Sequence, residues 1–244
     1  MARRFRNISV VAGSTIASRI LGLVRDVLIY GVLGTSVFNS AFILAFTLPN
    51  LFRRLLGEGA LTSALIPVLS DAWARDPDAP SGFRLLNQVL TRLGGVLLGL
   101  TLLGMGLLSL VAELVPEANR WQLGARYGLL LFPFVGLVCV AALFAAALNA
   151  RNRFAVPALN PVFLNLCMIS GLLLGGLAVG GVLDQRVIWL SMAVLLGGVI
   201  QVGVSAWALW RDGWRPAIAP ETSPAIREVW LVFLSVWPEQ RSCR

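Results

Sequence analysis

Apolar residues fall in six long runs, at residues 8–33, 37–56, 85–111, 124–148, 158–182 and 187–210, and polar residues gather between them. Helix rises 1.5 Å per residue, and about 20 residues cross the hydrocarbon of a bilayer. Each run therefore predicts a membrane-spanning helix. Turn-forming residues sit in every gap: Gly31 and Gly34, the Asp76-Pro77-Asp78-Ala79-Pro80 string, Pro116, residues 149–153, Gly180-Gly181 with Asp184, and a Pro-rich stretch at 216–224. A seventh apolar run opens at Val229 and turns polar at Glu239. About ten apolar residues are too few to span a bilayer. The run reads either as an interfacial segment or as the start of a span in a truncated or frameshifted chain, and the second is the expectation. The domain reading is a six-helix lobe at 1–228, followed by a truncated seventh span and an aberrant polar tail at 229–244.

Composition agrees with this pattern. Hydrophobic residues make up 57% of the chain and charged residues 13%, and the mean hydropathy is +0.80. That leaves too little polar surface to cover a soluble globule. The net charge of +8 is carried by arginine without any lysine. These arginines are dispersed between apolar runs and form no basic domain, so nucleic acid is not an expected partner. Histidine is absent and no C-x-x-C occurs. Imidazole chemistry is thereby excluded, and no metal site, disulfide framework or cofactor is called for. The basic start resembles the n-region of a signal peptide, but no small-residue cleavage site follows and Arg19 interrupts the apolar run. It reads as a retained first span.

Arginine also orients the chain. The N-terminus and every second connection carry Arg3, Arg4, Arg6, Arg75, Arg84, Arg151, Arg153, Arg211, Arg215 and Arg227, whereas the opposite connections carry Arg120 and Arg186. The positive-inside rule places the N-terminus in the cytoplasm. Trp207, Trp210 and Trp214 predict an interfacial belt at the end of the sixth run. Gly94, Gly95, Gly99, Gly104 and Gly106 predict close helix approach in the third.

The chemistry lies in charges that a membrane span should not contain. Arg19, Arg25 and Asp26 fall inside the first run. An arginine or aspartate at mid-span costs roughly 2.5–3.5 kcal/mol on insertion scales, and Arg19 lies about 16 Å along the helix from Ile8. It needs water, a partner or a ligand. At 100° per residue Arg19 and Asp26 share a face, while Arg25 points roughly 120° away. Two readings stay open: the arginines bind an anionic substrate, or Arg19 and Asp26 neutralise each other as a structural pair. Arg53 and Arg54 close the second run beside Pro49, whose missing N–H predicts a kink of the kind that marks transporter cavities. They also suit a positive-inside anchor, with Glu58 as their partner. Asn149, Arg151 and Arg153, on the cytoplasmic side, read as a topology-fixing loop or as contacts for a headgroup arriving from the cytoplasm.

Three blocks point to a family. They are Ser18-Arg19-Ile20-Leu21-Gly22-Leu23-Val24-Arg25-Asp26, then Ala41-Phe42 through Leu48-Pro49-Asn50-Leu51-Phe52-Arg53-Arg54-Leu55-Leu56-Gly57-Glu58-Gly59-Ala60, and Ala147-Leu148-Asn149-Ala150-Arg151-Asn152-Arg153-Phe154-Ala155-Val156-Pro157-Ala158 with Pro161 and Asn165. In this order and spacing the chain, over about residues 5–237, closely resembles the MurJ/MviN lipid II flippases of the MOP transporter superfamily. The resemblance implies an all-α polytopic protein of the bacterial inner membrane, with this chain as one six-helix lobe of a two-lobed bundle. It implies translocation of an undecaprenyl-pyrophosphate-linked disaccharide-pentapeptide, lipid II, from the cytoplasmic to the periplasmic leaflet by alternating access. By that likeness Arg19, Arg25 and Arg53 are cavity arginines, Asp26 and Glu58 are accompanying acids, and Arg54 belongs to the same substrate-binding group. Ser40 stands where a relative commonly carries aspartate, which puts any ion-coupling role of that position in doubt, and no coupling ion is identified. The implied partners are lipid II and the surrounding membrane lipids.

Two other classes fit less of the pattern. A cation-coupled drug exporter of the same superfamily explains the architecture, but an arginine-lined cavity repels cationic substrates. A membrane phosphatase or glycosyltransferase requires a catalytic base or metal-binding carboxylates. Asp71, Asp76 and Asp78 form the one acidic cluster, and a solvated loop accounts for them.

Overall fold

The computed structural model describes residues 2–52, 60–75, 81–116, 119–178 and 182–221. Among these the chain forms eight helices and no strand: α1 (Ala2–Leu33), α2 (Val37–Phe52), α3 (Ala60–Arg75), α4 (Ser81–Leu114), α5 (Arg120–Leu131), α6 (Pro133–Ala150), α7 (Ala155–Ala178) and α8 (Leu183–Arg211). Four helical segments are long and apolar enough to cross a membrane: Ser81–Leu114, Pro133–Ala150, Ala155–Gly175 and Leu183–Arg211. The chain is a multi-pass membrane protein. α1 has the length, at 32 residues, but carries the mid-span charges; α2 has 16 residues.

Local chemistry explains the helix ends. Gly34 takes φ +60° and its N–H closes α1 on the Tyr30 carbonyl at 2.9 Å, a conformation that suits glycine. Ser36 then caps α2, its Oγ accepting the Asn39 N–H at 3.3 Å. The fourth apolar run is divided where Pro133 lacks an N–H, so α5 and α6 meet at Phe132, which itself stays helical at φ −61°, ψ −36°. Between α6 and α7, Asn152 adopts φ +59° and the Arg153 N–H reaches back to the Leu148 carbonyl at 2.8 Å. Asparagine tolerates that left-handed position, and the turn it makes fixes where Arg151 and Arg153 point.

The core runs between α6, α8, α4 and α5, with Phe134, Leu131, Leu143, Leu148, Leu190, Leu209 and Leu86 buried. α1 lies chiefly against α7, α2 against α5, and both α6 and α7 against α8. Outward faces of α1 and α4 expose Ile20, Leu23, Val27, Leu98, Leu102 and Leu103, the side chains that lipid rather than water solvates.

Several expectations need correction. Residues 60–75, read as part of a cytoplasmic connection, form α3, with Ala64, Leu65, Val68, Leu69 and Trp73 buried at helical spacing. At 16 residues, with Pro67, Ser70 and Asp71 between the buried positions, it makes no apolar run of bilayer length. Pro49 lies inside α2, which continues to Phe52. Trp207 and Trp210 are exposed as a belt requires, but Trp214 is buried. It stacks edge-on against Phe144 at 5.1 Å and donates to Asn87 Oδ1 at 2.8 Å. Of the five glycines singled out in the third run, Gly104 makes the close approach, against Phe132, while Gly94, Gly95, Gly99 and Gly106 face open space. The seventh run and polar tail lie outside the described residues.

Candidate functional site

The intramembrane charges of α1 converge on α7. Arg25 donates from Nη1 to Asn165 Oδ1 at 2.7 Å, and from Nε and Nη2 to Asp26 Oδ1 at 2.9 and 2.7 Å. Asn165 is buried, and its Nδ2 donates to the Ser18 carbonyl at 3.0 Å. The amide thus clamps the guanidinium of Arg25 to the backbone about two turns upstream. Two polar residues on adjacent helices satisfy one another where lipid offers no hydrogen bonds. Asp26 remains half exposed.

Arg19 is different. It is exposed, and among the described residues no hydrogen bond or ion pair engages it. The structural-pair reading is overturned, because Asp26 pairs with Arg25 and not with Arg19. The opposed directions that helical geometry assigns to Arg19 and Arg25 do not separate them either. Both line one cavity of about 430 Å³ between α1, α2, α6, α7 and α8, with Ser18, Asn50, Asn160 and Gln201. Long arginine stems bridge the angular difference.

The α7 wall of this cavity has an unusual backbone. Pro157 and Pro161 both line it, and Pro161 lies within the helix. A proline removes one helical hydrogen bond, here the one to the Pro157 carbonyl. Gln201 of α8 donates through Nε2 to the Asn160 carbonyl at 2.7 Å. The side-chain Oδ1 of Asn160 is buried without a partner. The sequence reading missed Asn160 and Gln201 altogether and used Asn165 only as part of a motif. The signal available was an amide side chain inside an apolar run. Arg53, Arg54 and Glu58 lie outside the described residues.

Asn149, Arg151 and Arg153 belong to a second cluster, at the opposite end of α7 from its apolar tail. Arg151 lies over Trp73 at 5.2 Å and Phe83 at 5.1 Å. Asp212, at the end of α8 with a side chain 2% exposed, receives Arg153 Nη2 at 2.6 Å and Arg151 Nε at 3.6 Å. Asn149 and Arg151 also line a groove of about 740 Å³ with Trp73 and Phe154. Here both arginines are neutralised within the protein, which ties α3, α4, the α6–α7 turn and α8 together.

The family model "Lipid II flippase MurJ" matches residues 29–235. The "Probable lipid II flippase MurJ" of Bdellovibrio bacteriovorus is 35% identical over 230 residues, covering 89% of this chain and 43% of the relative. The "Lipid II flippase MurJ" of Burkholderia cenocepacia is 29% identical over 228 residues, covering 91% and 43%. The chain therefore spans less than half the length of these curated relatives. Among solved structures, a lipid II flippase MurJ in an inward closed conformation shares the fold with a TM-score of 0.72 at 22% identity, covering 93% of this chain and 47% of the other. A eukaryotic MATE transporter aligns at a TM-score of 0.62 and 16% identity, covering 97% and 52%. Arg19, Arg25 and Asp26 precede the span matched by the family model, whereas the second cluster lies within it. With residues 29–235 matched to that model, the chain belongs to the MurJ lipid II flippase family.

Proposed function

We propose that this chain forms one lobe of a translocator for lipid-linked pyrophosphates, moving lipid II from the cytoplasmic to the periplasmic leaflet of the inner membrane by alternating access. The observation that carries the proposal is an Arg19 with no partner among the described residues, sharing a cavity with Arg25, whose guanidinium is held in place by Asn165 and Asp26. A free cation in a membrane span is costly unless an anion occupies the site. Guanidinium keeps its charge at low dielectric and presents a planar fork to phosphate oxygens, which suits a pyrophosphate between a lipid tail and a sugar. Arg53, Arg54 and Glu58, which follow α2 in the sequence, extend this site in the proposal. The arginine asymmetry supports a cytoplasmic N-terminus.

Family names on the matched relatives support the same substrate, and the charge of the cavity argues against the drug-exporter reading, because organic cations would meet two arginines. The test is competitive binding to the chain in lipid nanodiscs. Undecaprenyl pyrophosphate is expected to bind saturably, while ethidium and tetraphenylphosphonium do not displace it. Saturable binding of the cations with no binding of the pyrophosphate would reverse the assignment.

A further inference from the structure

We infer that residues 214–220 form a strap fastened to α4, which disables the hinge that the sequence places at the end of α8 and makes the outgoing connection move with this lobe. The inference does not depend on what fills the cavity beside α1.

Sequence alone offers a flexible exit from α8. Gly213 comes two residues after the helix, and a Pro-rich stretch follows at 216–224. The structure closes that exit. Gly213, at φ +101°, ends α8 in a Schellman motif: its N–H reaches the Trp210 carbonyl, and the Trp214 N–H reaches the Leu209 carbonyl, both at 3.0 Å. The turn drives Trp214 inward against Phe144 and onto Asn87. Arg215 then folds back, donating from Nη1 to the Trp210 and Trp214 carbonyls at 3.0 and 2.9 Å.

Side chains of α4 fix the extended residues that follow. Asn87 is buried and uses both ends of its amide on the strap. Its Oδ1 accepts the Trp214 Nε1–H at 2.8 Å, and its Nδ2 donates to the Arg215 carbonyl at 2.9 Å. One turn on, the Thr91 hydroxyl gives its proton to the Asn87 carbonyl at 2.8 Å. That leaves its lone pairs to accept the Ala219 N–H at 3.1 Å. Arg92 Nη2 donates to the Pro220 carbonyl at 3.3 Å. Residues 215 and 219 span up to about 13 Å when extended, whereas Asn87 and Thr91 lie about 6 Å apart along their helix. The extra length bows outward, with Ile218 at its crest, 87% exposed.

Asn87 and Thr91 stand inside an apolar run of membrane length, where an unpaired amide is costly. Releasing the strap would strand both ends of the buried Asn87 amide, so the connection stays on α4. α4 in turn packs against α5 and α6. A displacement of the connection is thereby passed to that core instead of being absorbed at Gly213.

The test measures the hinge directly. In the 244-residue chain with Cys139, Cys167 and Cys243 replaced by serine, spin labels at Ile218 and Leu102, both exposed, report the distance from strap to α4 in phosphatidylcholine nanodiscs. The parent is expected to give one narrow distance distribution. Asn87→Leu removes both ends of the amide at similar volume and should broaden it by about twofold or more. A broad distribution in the parent, or equal widths in both, would overturn the inference. Should Asn87→Leu not be monodisperse, Thr91→Val decides by residue-resolved hydrogen exchange. It removes one acceptor without changing shape, and the Ala219 amide should exchange about fivefold faster, while the Arg153 amide, bonded to the Leu148 carbonyl, keeps its rate. No change at Ala219 would overturn the strap, as would equal acceleration at both amides, which reports loosening of the whole lobe.

Discussion

Asp212→Ala is the sharpest test of how the lobe holds together. The carboxylate is 2% exposed and faces Arg153 at 2.6 Å and Arg151 at 3.6 Å, whose side chains are 59% and 26% exposed. Removing one partner of a buried ion pair costs roughly 3–5 kcal/mol. Arg153 is solvated enough to belong with surface pairs, worth roughly 0–1 kcal/mol. Arg151 keeps part of its solvation and its place over Trp73 and Phe83, which brings the expected loss to about 2–3 kcal/mol. At roughly 2–4 °C per kcal/mol for a chain of this size, thermal melting in nanodiscs followed by tryptophan fluorescence should fall by about 5–10 °C. Arg153→Ala should cost about 1–3 kcal/mol, because it leaves the buried carboxylate with Arg151 alone at 3.6 Å. An Asp212→Ala melt within about 1 °C of the parent, well below the shift calculated from the buried-pair cost, would refute the claim that this carboxylate ties four elements together.

Three further outcomes follow from the same geometry. In a background with Cys139, Cys167 and Cys243 replaced by serine, a cysteine at Asn152 should react with an impermeant maleimide only from the cytoplasmic side; labelling from the periplasm of intact cells would invert the topology. Gly82→Ala pushes a Cβ into the Trp73 indole and should destabilise by about 1–3 kcal/mol in the same melting assay, as overpacking does; an unchanged melt would mean that α3 does not pack there. Asn165→Leu releases the Arg25 fork and should weaken undecaprenyl pyrophosphate binding by about fivefold or more with the fold intact, whereas unaltered affinity would show that the clamp does not set the arginine's position.

The sequence made the membrane class legible, because runs of apolar residues longer than a bilayer admit few other readings. α3 was hidden by its length: its stripe of Leu65, Val68, Leu69 and Trp73 is broken up by Pro67, Ser70 and Asp71, and at 16 residues it makes no apolar run of bilayer length. Arg19 and Arg25 stood out as charges in an apolar run, but their partners did not. The Arg25–Asn165 bond joins positions 140 residues apart, and no local spacing encodes it. Helical angles alone suggested an Arg19–Asp26 pair, since they ignore that Arg25 can fold its own side chain back onto the next residue. Trp214 looked like a belt residue until Gly213, at φ +101°, turned it inward onto Asn87.

The central claim is that Arg19 and Arg25 hold a pyrophosphate. Its most direct test is the dissociation constant of undecaprenyl pyrophosphate, against uncharged undecaprenol, for the parent chain and for Arg19→Ala, Arg25→Ala and Arg25→Lys in nanodiscs at fixed salt. Charge-assisted hydrogen bonds contribute roughly 1.5–3 kcal/mol, so each alanine should weaken the pyrophosphate by about 10- to 100-fold. Lysine should recover part of the loss by charge without the fork, and undecaprenol should bind all variants alike. Equal affinity of the parent and both alanine variants for the pyrophosphate would contradict the account.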